Sequence, residues 1–205
     1  MSFTMNYKKA RDITLQLINQ YSVAGSKVPD TYNGQADYLN RIPNLLNDAA
    51  IQAATTTAPI RMLDDLKNLR CDNNGAWMVY TMPDDCWQLS SGGLIQYDGE
   101  TFRRFHGYHP VGPNKIAVPK DLAGEVQVEY FRYPRMLDAN PKDEDELDNT
   151  PSVQMVLPYY AAAQLVMQED SFAFSALSNE FESRLARLAE RPHADCNTVE
   201  NVYGF

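Results

Sequence analysis

The chain has 205 residues, and 44% of them are hydrophobic, which is enough for one packed core or for a core with a small inserted module. Its 18 Lys and Arg residues are outnumbered by 27 Asp and Glu residues, and the net charge of −9 disfavours a protein that binds nucleic acid by neutralising phosphates. No window approaches the ~20 apolar residues of a membrane span, and no apolar run follows the first lysines. We therefore expect a soluble, unexported protein with no membrane partner.

Two amphipathic helices are predicted in the N-terminal part of the chain. Apolar residues recur at three- and four-residue steps over 5–22 and again over 35–56, which is the period of a helix. Pro43 is expected to kink the second helix or to mark its restart, because proline has no backbone N–H. Residues 60–70 have weak periodicity, and a short helix and an irregular connection both stay open for them.

The middle of the chain has the pattern of antiparallel β structure. From Ala76 to Phe131, aromatic and β-branched residues occur in short runs separated by turn residues. The run EVQVEYF alternates apolar and polar residues, which predicts a strand with one buried face. Asp98-Gly99 suits a two-residue hairpin turn.

The helical period returns in the C-terminal part, where helices are predicted over 152–169 and 171–190. Thr150-Pro151 has the pattern of an N-cap followed by a first-turn proline, and Asp170-Ser171 is placed to cap the last helix. Pro192 ends that helix.

The predicted fold class is therefore α+β, with a helical bundle built from the N- and C-terminal helix pairs over 1–72 and 138–191. Neither pair alone has enough apolar surface to be stable, so the two pairs are expected to pack together. An antiparallel β module over 73–137 is inserted between them. Residues 192–205 have no regular period and are expected to form an extended tail.

Few residues are placed to carry enzymatic chemistry. The three cysteines form no CxxC pair, and neither a nucleophile elbow nor a glycine-rich phosphate loop before a helix occurs. Asp84, Asp85, His106 and His109 are potential metal ligands, but HGYHP predicts a turn and the two histidines do not share a strand face. We expect no catalytic residue, no cofactor and no metal.

Acidic and aromatic residues leave two alternatives each. The acidic cluster lacks the glycine and the ligand phasing of an EF-hand loop; it comprises Asp143, Glu144, Asp145, Glu146 and Asp148. It is either a solvated approach to a helix N-terminus or a surface that repels a passing polyanion. Trp77 and Trp87 are more simply explained by packing than by ligand contact.

Four segments resemble the head-to-tail connector (adaptor) proteins of tailed bacteriophages, over residues 5–190 in all: DYLNRIPNLLNDAAIQAATT, MPDDCWQL, FRYPRML and LPYYAAAQLVMQEDSFAFSALSNEFESRLARL. The resemblance implies a structural protein of the virion neck that is made in the host cytoplasm and serves genome packaging and ejection. It implies a homo-oligomeric ring, typically of twelve copies, that docks on the portal protein and contacts other neck or tail proteins. Double-stranded DNA would pass through without specific binding.

The resemblance also implies that the C-terminal segment enters the portal. Within that segment Val202, Tyr203 and Phe205 are the large apolar anchors, each contributing about 1.5–3 kcal/mol before the cost of ordering the segment. The acidic residues 143–148 are expected to lie near the DNA channel, because a conduit works by not binding its cargo.

Two other functions compete with the adaptor. One is a tail or baseplate binding module that recognises host-surface glycans through the β insertion. The other is a small hydrolase that uses Asp84, Asp85 and His106.

Overall fold

The structure is a computed structural model that describes residues 4–18, 34–97, 99–112, 114–122 and 125–189. The described residues divide into two compact units. The first, the terminal unit, comes from the segments 1–53 and 137–205, and the second, the β unit, is Ala54–Met136. The predicted tail over 192–205, with Val202, Tyr203 and Phe205, lies outside the described residues.

The described residues form five α-helices, and their bounds are α1 Tyr7–Leu17, α2 Gly34–Thr56, α3 Pro151–Gln154, α4 Leu157–Val166 and α5 Ser171–Ala189. The helices predicted over 35–56 and 171–190 are confirmed as α2 and α5, and Asp170 caps α5 by accepting the Ala173 N–H at 2.9 Å. The helix predicted over 152–169 is interrupted between Gln154 and Leu157, because Pro158 is tolerated only in a first turn and here lies in the first turn of α4.

Helix α4 is the most buried element of the terminal unit. It contacts α1, α3 and α5, and its three successive alanines, Ala161, Ala162 and Ala163, are fully buried. Such small side chains let helices approach closely. The ring of Tyr160 on α4 packs against Phe181 on α5 with centroids 5.2 Å apart. None of the described helices is long and apolar enough to cross a membrane.

In the part of the β unit that the structure describes there are eight strands, and their bounds are β1 Ile60–Asp65, β2 Cys71–Asn74, β3 Trp77–Thr81, β4 Cys86–Tyr97, β5 Phe102–Phe105, β6 His109–Pro110, β7 Lys115–Pro119 and β8 Glu125–Arg132. They form two four-stranded antiparallel sheets. The first sheet has the order β1-β8-β4-β5, and the second has the order β2-β3-β7-β6. A short 3-10 turn, Leu66–Asn68, follows β1.

A core of its own holds the β unit together. Leu94, Val128 and Tyr130 of the first sheet join Ile116 and Val118 of the second in one buried cluster. The predicted alternation of β8 is confirmed, since its apolar face enters this cluster. Burying side chains of this size stabilises the unit by about 1.5–3 kcal/mol each before the entropy cost.

The predicted fold class, a helical bundle with an inserted β module, is wrong. The β structure is a compact unit with two sheets and its own core, central in the chain, rather than an appendage of a bundle. It also draws β1 from 60–65, inside the segment that was assigned to the first helix pair. The physical reason is that pairing with β8 makes these residues a strand, and no local period announces it.

The predicted two-residue hairpin turn is also wrong. The β4 and β5 ladder closes with Tyr97 opposite Phe102, so four residues connect the two strands. Gly99 has a φ of 101°, a conformation that favours glycine. Asp98 lies outside the described residues.

Candidate functional site

The predicted acidic segment lies against the start of α1. The backbone carbonyls of Asp145 and Asp143 accept the N–H groups of Tyr7 at 2.7 Å and of Lys8 at 3.2 Å. These belong to the first turn of α1, whose N–H groups have no partner within the helix. The segment therefore lies at the N-terminus of α1, where its backbone carbonyls, and not its acidic side chains, accept the N–H groups.

The acidic side chains are displayed unequally. Asp143 forms an ion pair with Arg11 at 2.8 Å, and Asp145 accepts the backbone N–H of Lys142 at 2.8 Å. Asp148 is half-buried. Glu144 and Glu146 are exposed. Asp143 is exposed too, but Arg11 offsets its charge, so Glu144 and Glu146 contribute most of the outward negative charge.

A buried amide anchors the segment. The side chain of Gln154 is 1% exposed, and its Oε1 accepts the backbone N–H of Met5 at 2.7 Å. Its Nε2 donates to the carbonyls of Leu147 at 2.5 Å and Asn149 at 2.7 Å. Each bond satisfies a group that would otherwise be buried without a partner. The acidic segment is therefore held in one position by the interior of the terminal unit.

In the β unit, the first sheet ends in two edge strands that differ chemically. Within the described chain, β1 and β5 each have a neighbouring strand on one side only. Edge β1 exposes Met62 and Leu63, at 37% and 49%. Edge β5 exposes Phe102, at 68%, together with Arg103 and Arg104. Exposed apolar side chains on an open strand edge are typical of a surface that associates.

The C-terminal end of β1 carries two carboxylates. Asp64 accepts the hydroxyl of Tyr130 at 3.0 Å, and burial followed by this hydrogen bond raises the pKa of Tyr130. Asp65 accepts the amide of Gln127 at 2.8 Å and lies 3.4 Å from the ammonium of Lys67. These two contacts lower the pKa of Asp65 below its ordinary value, so this end of β1 is negative at neutral pH.

One aromatic cluster lies on the first sheet. Trp87 stacks on Phe131 with centroids 5.9 Å apart, and Tyr133, which is 41% exposed, lies 6.5 Å from Trp87. The guanidinium of Arg61 lies 5.8 Å from the ring centre of Phe131. The indole nitrogen of Trp87 is buried with no hydrogen-bond partner in the described chain, beside a cleft of about 200 Å³. Trp87 thus packs as predicted and also borders a cavity.

The residues considered for metal or hydrolase chemistry are not assembled. Asp84 and Asp85 are exposed in the turn before β4, and His106 is exposed after β5. His109 on β6 packs against Trp77 with ring centroids 4.9 Å apart. Over the described residues, no three His, Cys, Asp or Glu side chains lie close enough to hold a metal ion.

No protein-family model matches the chain, and no curated protein matches it. Neither comparison therefore assigns it to a family.

Sequence reasoning missed both edges. The signal for β5 is local: two arginines sit between aromatic residues in TFRRF, and like charges inside a predicted strand are typical of a strand that ends a sheet. Residues 60–65 carry no such signal, because the sequence does not predict a strand there.

Proposed function

We propose that the protein is a head-to-tail adaptor of a tailed bacteriophage: copies form a ring that docks on the portal protein and continues the DNA channel towards the tail. The observation that carries this proposal is the pair of dissimilar edges on the first sheet. A ring built head to tail needs two different patches on every copy, and β1 and β5 are two such patches at opposite edges of one sheet. The resemblance over residues 5–190 supports the place in the virion.

The charge distribution agrees with a conduit for DNA. The chain carries −9, and the exposed Glu144 and Glu146 stand on a segment fixed to α1. Carboxylates repel phosphates, so DNA would slide past such a surface without binding. Under this proposal the segment 143–148 faces the channel.

The proposal gives the C-terminal segment the contact with the portal. Its apolar anchors are Val202, Tyr203 and Phe205. Deleting residues 192–205 should weaken association with the portal while leaving the melting temperature nearly unchanged.

The test combines the purified full-length protein with the portal protein encoded in the same genome, followed by mass photometry and negative-stain electron microscopy. We expect rings seated on portal particles, and weaker occupancy with the truncated chain. Two-fold dimers alone, or no association with the portal under any condition, would contradict the proposal. Equal occupancy by the truncated chain would move the portal contact away from the tail.

A glycan-binding module is the second candidate, and the aromatic cluster favours it. Exposed Tyr133 beside Trp87 offers ring faces of the kind on which sugar rings stack, with Arg61 as a polar neighbour. A glycan array with the purified protein tests it. Binding that Tyr133→Ala abolishes and that Tyr97→Ala, outside the cluster, retains would support the module. An empty array would count against it.

A further inference from the structure

We infer that β5 of one copy pairs with β1 of the next copy, so that the first sheets of neighbouring copies join into one continuous antiparallel sheet around the ring. This inference rests on the proposed function, because it concerns how the copies of the ring meet. Its partner is a second copy of this chain. Three features carry it: strand direction, charge and exposure.

Strand direction permits the joint without any change of pattern. Strands β1 and β8, β8 and β4, and β4 and β5 are all antiparallel. Across four strands this alternation makes β1 and β5 run in opposite directions. When a neighbouring copy is added edge to edge in the same orientation, its β1 therefore runs antiparallel to β5.

The faces of the sheet limit the register. Asp65 pairs with Gln127, Gln127 with Ile95, and Ile95 with Arg104, so Asp65 and Arg104 stand on one face. A joint that keeps the two faces continuous must bring Phe102 opposite Asp65 and Arg104 opposite Leu63, or shift this pairing by two residues.

Charge and the number of pairs together select one of these registers, with four pairs: Arg103 opposite Asp64, Phe102 opposite Asp65, Arg104 opposite Leu63, and Phe105 opposite Met62. Here the Arg103 guanidinium meets the Asp64 carboxylate, and Phe105 lies opposite an exposed apolar side chain. Opposite charges across a ladder are favourable and like charges are not. A shift of two residues one way sets Arg104 opposite Arg61, which is unfavourable. The shift the other way sets Arg104 opposite Asp65 but leaves only two pairs within β1.

Among the residues that the structure describes, exposure leaves both edges accessible. Leu63 is 49% exposed and Phe102 is 68% exposed, and both arginines of β5 are exposed. Charged residues on an edge strand normally discourage pairing, but here the charges of the two edges are opposite and therefore favour pairing of β5 with β1. Two short strands give a weak joint singly, which suits copies that gather on a template rather than in free solution.

The test is a cross-link between engineered cysteines. Leu63→Cys and Arg104→Cys in one chain would stand opposite each other, with Cα atoms about 4.5–5.5 Å apart, within disulfide reach. The matched control is Arg61→Cys with Arg104→Cys, which reports the shifted register. Each single variant shows what the native cysteines contribute, since Cys71 is itself exposed. The full-length proteins are mixed with the portal protein, checked for rings by electron microscopy, oxidised and run on non-reducing gels.

We expect the Leu63/Arg104 pair to yield at least ten times more disulfide-linked multimers on the gel than the control pair or the single variants. If rings form on the portal but the Leu63/Arg104 pair gives no more disulfide-linked multimers than the single variants, the β5-to-β1 joint is overturned and the proposed function stands. If the control pair gives an equal amount of these multimers, the register is overturned. Absence of rings for the unmodified protein would instead be a failure of the proposed function.

Discussion

The terminal unit and the β unit differ in how their backbone N–H and C=O groups find hydrogen-bond partners. In the terminal unit, side-chain amides bridge segments far apart in sequence: half-buried Asn47 exchanges two hydrogen bonds with the backbone of Leu137, and buried Gln154 makes three. In the β unit, strand ladders satisfy the backbone, and the ladders of the first sheet stop at β1 and β5. In the terminal unit these polar groups find partners within the unit, whereas the first sheet of the β unit has two strand edges with no neighbouring strand in the described chain.

The difference shows where association can occur at low cost. Disturbing the terminal unit breaks buried hydrogen bonds, which are expensive to leave unmade. Adding a strand to an open edge breaks none and creates new ones. For this reason we propose that copies of the chain meet through the β unit, and four substitutions test the contrast between the units.

The largest effect is expected from Gln154→Leu. The change leaves the N–H of Met5 and the carbonyls of Leu147 and Asn149 buried without partners. At about 1–3 kcal/mol for each group, the free energy of unfolding should fall by about 3–9 kcal/mol. Urea denaturation measures it, with exposed Gln168→Leu as the control. A loss below about 1 kcal/mol would show that the amide does not hold the unit closed.

Leu94→Ala should be next in size and acts on apolar packing alone. Leu94 is 0% exposed in the core of the β unit. Truncation removes buried methyl groups and leaves a cavity, which costs about 2–5 kcal/mol. The conservative Leu94→Met, which nearly keeps the volume, should cost less than about 1.5 kcal/mol. Equal losses for both variants, measured by thermal unfolding, would contradict a tightly packed core.

Tyr38 gives the terminal unit a dependence on pH. Burial, and then the hydrogen bond from its hydroxyl to Glu169 at 2.7 Å, raise the pKa of Tyr38 to about 12 from 10.0. Because the folded pKa is the higher one, this contribution to stability is complete below about pH 10 and is lost as pH rises through about 12. Tyr38→Phe should reduce the loss of stability over that range.

Ultraviolet absorbance of the phenolate, recorded as a difference between wild type and Tyr38→Phe, measures the titration directly. Glu169→Gln keeps an acceptor and removes the charge, so the pKa of Tyr38 should move down towards 10.0. An unchanged titration in Glu169→Gln would mean that burial alone raises this pKa.

The extent to which the sequence predicts these features follows from how local they are. The alternation in β8 and the period of α5 are local, and both are legible in the chain. Strand β1 is not, because IRMLDD becomes a strand only through its pairing with β8. Gln154 lies between Val153 and Met155 with no signal that its amide bridges distant backbone. The acidic segment is predicted to approach the start of a helix, but the sequence does not indicate that this helix is α1.

The smallest effect on stability is expected from Arg103→Glu, and it tests the open edge directly. Arg103 is exposed on β5, where a surface substitution changes the free energy of unfolding by no more than about 0.5 kcal/mol. In the inferred joint its carboxylate would face Asp64, and like charges across a ladder cost about 1 kcal/mol, or about fivefold in affinity for each contact between copies. Arg70→Glu is the matched control, since it makes the same change of charge at an exposed position outside both edges. Ring yield on the portal, counted by electron microscopy at several protein concentrations, should fall for Arg103→Glu and hold for Arg70→Glu. If both variants form rings as readily as the unmodified chain, β5 does not meet β1, and the copies must touch through another surface.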